Sequence, residues 1–286
     1  MRATERDPEY ALAWSGMADA YAGSPINADA PPLRVGPLAR DAAARAVAAD
    51  PNSPEAQTSM GLVKLWFDWD CAAAETAFHK AIALDPSYSM AHRLLGIVLA
   101  QMERPEEARS ASRRAVSAAD HALSAQVAFA ARDFSAAAQF AQQAISIDPE
   151  FWVGYVQLAQ AHEQLGNTDL AFDALNNAGR FSGGNSKPTA LRGYLFAKLG
   201  KSKEAHDVLN TLEAVSRERY IPPYAAALVH AGLGQRDAAC DWLERAYAAR
   251  DVHLLLLPID PKWDPFRTDP RFLAILTRCA FAKRAS

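Results

Sequence analysis

The stretch Leu65-Trp66-Phe67-Asp68-Trp69-Asp70-Cys71 sets two carboxylates among three aromatic side chains in an alanine-rich chain. Paired acids beside aromatic platforms are the equipment of glycoside hydrolysis, one acid protonating the leaving oxygen while the other attacks or activates water. That chemistry needs the two acids held in different environments. Asp68 and Asp70 have no adjacent histidine, basic cluster or glycine-rich loop in sequence to separate their roles. A structural reading competes: Asp70 is placed to cap a following helix, with Glu75 adding favourable charge in its first turns, and Trp66 and Trp69 to fold over a seam between packed helices.

Other residue types capable of chemistry are scattered. His162 and His230 are too far apart to share a metal, and each is expected to be an interior histidine with one hydrogen bond. His79, His92, His121, His206 and His253 form no His-Glu-x-x-His pair. Cys71, Cys240 and Cys279 are widely spaced and odd in number, which supports neither a disulfide framework nor a zinc knuckle, and fits a reducing, cytoplasmic compartment. Ser182-Gly183-Gly184-Asn185 lacks the G-x-x-x-x-G-K-[ST] pattern of a phosphate loop and reads as a flexible joint. Arg104, Arg109, Arg113 and Arg114 form the densest basic patch, with Glu106 and Glu107 to offset it, so a solvated face is expected. No metal, cofactor or catalytic residue is assigned.

The bulk properties agree. The 286 residues are half apolar, and 30 basic against 33 acidic side chains leave a net charge of −3, which is no nucleic-acid footprint. No window reaches the ~20 apolar residues that span a bilayer as a helix, and the N-terminus carries no signal-peptide core.

The elements that must position these residues are written as a repeat. Leu165-Gly166, Leu199-Gly200 and Leu233-Gly234 recur at 34-residue intervals, each followed by Ala171, Ala205 or Ala239 and then Leu175, Leu209 or Leu243. Such spacing describes a helical hairpin: glycine ends one helix, alanine lets the second approach closely, and leucine fills the space a turn later. Asp-Pro at Asp50-Pro51, Asp85-Pro86 and Asp148-Pro149 closes units, because proline restricts the preceding residue and donates no amide.

With Trp14, Met17, Ala18 and Tyr21 at first-helix spacing, Leu95-Gly96, Leu99, Ala108 and Ala115 in another unit, and Ala74, Phe78, Ala81 and Pro86 as A-x3-F-x2-A plus terminal proline, the chain resembles the tetratricopeptide repeat. The expected fold is an all-α, right-handed superhelical solenoid of about seven helical hairpins. The units lie near 11–53, 54–88, 89–118, 119–151, 152–185, 186–219 and 220–250, followed by a capping segment over 251–286. Unit one carries a proline-rich insert around Gly23 to Pro37, unit two has one residue more than the period, placed in its turn, and unit four is read as about five residues short in its first helix. Leu254 to Leu257 must pack back on the last unit, and Asp269-Pro270 starts a final helix with Phe272, Ile275, Leu276 and Cys279 on one face.

The resemblance implies a non-catalytic module that binds a protein or peptide segment in a concave groove lined by first helices. Groove positions carried over from the family are Arg93, Gln160, Glu163, Tyr194, Lys198 and Tyr224. The lysine and asparagine set with which chaperone-binding members clamp a terminal carboxylate is not present. A finer resemblance, carried by FDWDCAAAETAFHKAIALDP, by FSGG and by the ending from Tyr220 to Phe281, is to the array region of bacterial multidomain regulators with a winged-helix, nucleotide cyclase or serine/threonine kinase output domain. It implies, as the alternative, a sensory arm separated from its output domain. No output motif is present, the helix expected before Pro8 is replaced by MRATE, and an array end without a polar cap implies self-association.

Overall fold

A computed structural model describes residues 2–112 and 117–281. Among them there is no strand; the chain is a run of helices, opening with the one-turn α1 (Arg2–Arg6). Hairpins follow in chain order: α2 (Ala11–Asn27) with α3 (Pro32–Ala49), α4 (Pro54–Val63) with α5 (Cys71–Leu84), and α6 (Ser89–Gln101) with α7 (Pro105–Ala111). Next come α8 (Ala118–Ala130) with α9 (Phe134–Ile147), α10 (Trp152–Gln164) with α11 (Thr168–Phe181), α12 (Ser186–Lys198) with α13 (Ser202–Ser216), and α14 (Pro223–Gly232) with α15 (Arg236–Ala248). Within each hairpin the two helices pack together, and first helices stack on first helices, α6 on α8 on α10 and α12 on α14. This is the all-α solenoid expected from the 34-residue spacing.

Small residues set the hairpin geometry. Ala74, Ala108, Ala171, Ala205 and Ala239 on the second helices are completely buried. Gly166, Gly200 and Gly234 adopt φ of 76°, 72° and 70°, the left-handed region that lets a helix end and the chain turn. Gly61 acts differently. It lies inside α4, where an added Cβ would sit 2.4 Å from the Phe78 ring, so its lack of a side chain admits the aromatic of the facing helix.

Three local readings are adjusted. The insert in unit one lengthens both helices of the hairpin, α2 taking in Pro25 and α3 Pro37. The extra residue of unit two is absorbed by a π-helical turn over Lys64–Asp68, which ends with Trp69 in the left-handed conformation (φ 58°). The first helix of unit four is not short: α8 has 13 residues, as many as α6, α10 and α12, and begins with a capping box between Ser117 and Asp120. Arg113, Arg114 and Ala115 lie outside the described residues.

After α15 the pattern breaks into two 3₁₀ turns, Val252–Leu256 and Pro261–Phe266, and then α16 (Pro270–Arg278). Leu254, Leu255 and Leu257 are buried, as are Phe272, Ile275, Leu276 and Cys279, so the four-leucine run and the last helix close the core as expected. Asp269 caps α16, accepting from the amides of Arg271 and Phe272.

The superhelix also closes on itself. The Asp29 carboxylate, at the α2–α3 turn, accepts from the Ser186 amide (2.8 Å) and hydroxyl (3.0 Å) at the start of α12, and from Arg219 (2.8 Å). Asn185 donates to the Ile26 carbonyl (2.9 Å), and Arg219 to the Gly184 carbonyl. The Ser182–Asn185 stretch is therefore a clamped docking point, its Asn185 side chain bonded to unit one and its Gly184 carbonyl to Arg219. Further along, Arg250 donates to the Phe67 carbonyl (2.7 Å) and lies 3.7 Å over the Trp69 ring, which also meets Tyr247 and Phe281.

Candidate functional site

The acid pair that opens the sequence question is structural. Asp70 accepts from the Ala73 amide (2.9 Å) and caps α5. Asp68 is bonded to Arg40 (2.9 Å) and Lys64 (3.0 Å); against the burial that would raise it, these two cations hold its carboxyl below the usual range. Neither acid faces a cleft with a partner base. Trp69 is 3% exposed and joins the ring-closing contact rather than a seam between successive units.

The histidines at the first-helix ends are partly exposed and locally bonded, His230 Nδ1 lying 2.6 Å from Gln235 Oε1 and His162 Nδ1 3.4 Å from Asn167 Nδ2. They brace the turn five residues on and do not reach the interior between helices. In the basic patch, Arg104 binds Glu75 and Glu107, and Arg109 binds Glu106, all between 2.6 and 2.7 Å.

The inner face is where the polar architecture concentrates. Six positions were singled out there. Tyr224, Tyr194 and Gln160 are buried, Arg93 and Glu163 partly so, and Lys198 is exposed. The chain's own segment after α15 covers the buried ones. Trp263 Nε1 donates to the Tyr224 hydroxyl (2.8 Å), and the Tyr224 ring stacks on His253 and meets Trp263 at centroid distances of 5.6 and 5.7 Å. Asp251 accepts from the Tyr224 amide (3.0 Å) and from His253 Nδ1 (2.9 Å), holding both the start of α14 and the imidazole.

Lys262 is buried as well. Its ammonium pairs with Asp260 (2.9 Å), donates to Gln160 Oε1 (3.0 Å) and sits 4.7 Å from the Phe129 ring centroid. Because an ammonium only donates, the bond fixes the orientation of a whole amide ladder. Gln160 Nε2 donates to Gln157 Oε1 (3.2 Å), and Gln157 Nε2 to Gln126 Oε1 (3.1 Å). The ladder runs from the terminal segment over α10 to α8, and its glutamines carry no motif by which the sequence reveals it. Glu163, near Lys262, has its carboxyl raised by burial. Arg93, on α6, is held by Asp120 (3.0 Å) on α8, apart from the positions on α10, α12 and α14.

Between the first helices and the terminal segment remains a partly open cavity of about 110 Å³. Ile26, Trp66, Ile97, Leu123, Val153 and Leu256 give it apolar walls drawn from five units and the segment. Its polar lining comprises Gln101, Gln126, Gln157, His253 and Lys187. Among the described residues no three histidine, cysteine or acidic side chains converge as metal ligands, and no helix is long and apolar enough to cross a membrane.

No family model and no curated protein matches the chain. Solved structures match in fold. The Cut9 and Hcn1 complex of the APC/C aligns with a TM-score of 0.63 at 14% identity, over 96% of this chain and 50% of the other. A tetratricopeptide repeat protein from Parabacteroides merdae aligns at 0.57, with 12% identity over 81% and 89%. PilW, a type IV pilus biogenesis factor, aligns at 0.53, with 15% identity over 70% and 92%. The fold is the tetratricopeptide-repeat solenoid. This chain spans half the length of the first of these structures. Within the tetratricopeptide-repeat frame, the departures are the π turn of unit two, the ring closure and the segment folded over the groove.

Proposed function

We propose that the chain is a non-enzymatic interaction module that grips a segment of polypeptide on the inner face of a closed superhelix. The observation that carries this reading is residues 251–266, a non-repeat segment in short 3₁₀ turns held on the groove positions by Trp263, Lys262 and Asp251. Aromatic and cationic anchors in desolvated pockets are the means by which interfaces obtain most of their affinity. A protein or peptide partner uses the same chemistry, either beside the segment at the exposed Lys198 and half-buried Glu163, with Arg93 as a separate contact on α6, or by displacing it from Gln160, Tyr194 and Tyr224. The employment of Asp68 and Asp70 as a salt-bridge partner and a helix cap supports a role without catalysis. The mild negative charge supports a partner other than nucleic acid, and the reading places the module in the cytoplasm.

Site-specific photo-crosslinking in cells tests this. A crosslinker at Lys198 is expected to capture a protein that one at Leu170, exposed on α11, does not. Equal capture from both positions, or none, removes the groove reading.

The resemblance to the array region of bacterial regulators supports a narrower version, in which the module is the input arm of a larger protein and the segment is its movable part. The native product on an immunoblot is then larger than the 31.0 kDa of this chain. Self-association through array ends belongs to the same proposal, with Leu12, Leu33 and Leu38 exposed on unit one; a monodisperse monomer at micromolar concentration in light scattering contradicts it.

A further inference from the structure

The cavity inside the ring combines apolar walls with one uncompensated charge. Lys187, on the first turn of α12, has no carboxylate within ion-pair distance among the described residues. The neighbouring Lys262 is paired with Asp260, and His253 is hydrogen-bonded to Asp251. Gln101, 8% exposed at the end of α6, lines the same cavity, and neither its amide oxygen nor its nitrogen has a partner. A buried unpaired amide and an ammonium facing an apolar space are each unfavourable, and an anion with an apolar body relieves both.

We propose that this cavity binds a small apolar monocarboxylate, its head group paired with Lys187 and its hydrocarbon body against Ile97, Leu123 and Leu256. One cation without a paired acid, among neutral amides and apolar walls, selects a monoanion over a phosphate or a nucleotide. The small volume, walled on one side by Val252, Leu256 and Ile259, selects a free small molecule over a polypeptide end. A cavity of about 150 Å³ accommodates benzene, so this one of about 110 Å³ takes a smaller body, on the order of four to five carbons. Gln101 supplies the second polar contact inside the same wall. Burial, with Lys262 nearby, lowers the Lys187 ammonium to about 8, which agrees with a charge waiting for a counter-ion. The inference is independent of partner binding on the rim, since the cavity lies behind the segment.

Calorimetric titration of the full chain with pentanoate at pH 7 tests it, with pentanamide as the neutral match. Pentanoate is expected to bind saturably at one site, at least tenfold more tightly than pentanamide. Lys187→Gln is expected to remove that preference while leaving helical content unchanged. On the unmodified chain, pentanoate affinity falls roughly tenfold per pH unit above about 8 as Lys187 loses its proton; the neighbouring Lys262–Asp260 and His253–Asp251 pairs are each closed on themselves. Equal affinity for pentanoate and pentanamide, non-saturable uptake, or a pentanoate preference that survives in Lys187→Gln overturns the proposal.

Discussion

Single residues in this array act through the space they leave or the charge they hide. Ala205 is completely buried where α13 meets its neighbours. Ala205→Leu overfills that site and is expected to cost about 1–3 kcal/mol, read as a lower melting temperature. Asp19 hides a charge. Burial raises its carboxyl to about 6, although the Ser59 hydroxyl donates to it at 2.7 Å. A carboxyl raised on folding is a stability contribution present while it stays protonated and lost as pH climbs through about 6. Asp19→Asn, which keeps the acceptor for Ser59, is therefore expected to stabilise the fold by about 1–3 kcal/mol at pH 7.5. That gain disappears below the ordinary carboxylate range, near pH 4. Denaturant melts at the two pH values check the sign; equal gains at both contradict the linkage.

At the scale of elements, the segment 251–266 is the part whose removal matters most. Trp263 is fully buried, hydrogen-bonded to Tyr224 and packed against Phe266 and Phe272, so one side chain ties the segment to α14 and to α16. Trp263→Ala is expected to cost about 3–5 kcal/mol, the usual range for emptying a buried aromatic site. The loss should be local first: limited proteolysis cuts within 251–266 earlier than in the helices, because the repeats still pack on one another. The segment itself was readable as a lid from its leucines and Asp-Pro pairs, since apolar runs must be covered. Its position over the groove was not, because nothing in a run of leucines records which surface it meets.

For the whole molecule the decisive feature is closure. Repeats that contact only their neighbours give an open spiral whose stability grows unit by unit. Here Asp29 with Ser186 and Arg219, and Arg250 with Phe67 and Trp69, join units that are far apart in sequence. The buried Asp29 carboxylate, 3% exposed, serves three donors at once. Asp29→Ala leaves those donors unmatched and is expected to open the ring at that edge. A rise in the radius of gyration by small-angle scattering, with unchanged helical content, is the expected result. An unchanged radius places the closure in the Arg250 and Trp69 contact alone.

The 34-residue spacing, the Asp-Pro stops and the buried alanines by themselves determined the helices, their pairing into hairpins and the solenoid, because those contacts are local and repeat with the chain. Even the extra residue of unit two was legible, and the π turn is its direct consequence. Ring closure, the filled inner face and the cavity were decided by tertiary structure alone. They rest on single residues that stand outside the repeat pattern, Lys187 at the cavity wall and Asp29, Trp69 and Lys262, which meet partners between roughly 100 and 210 positions away, a distance over which no periodicity carries information.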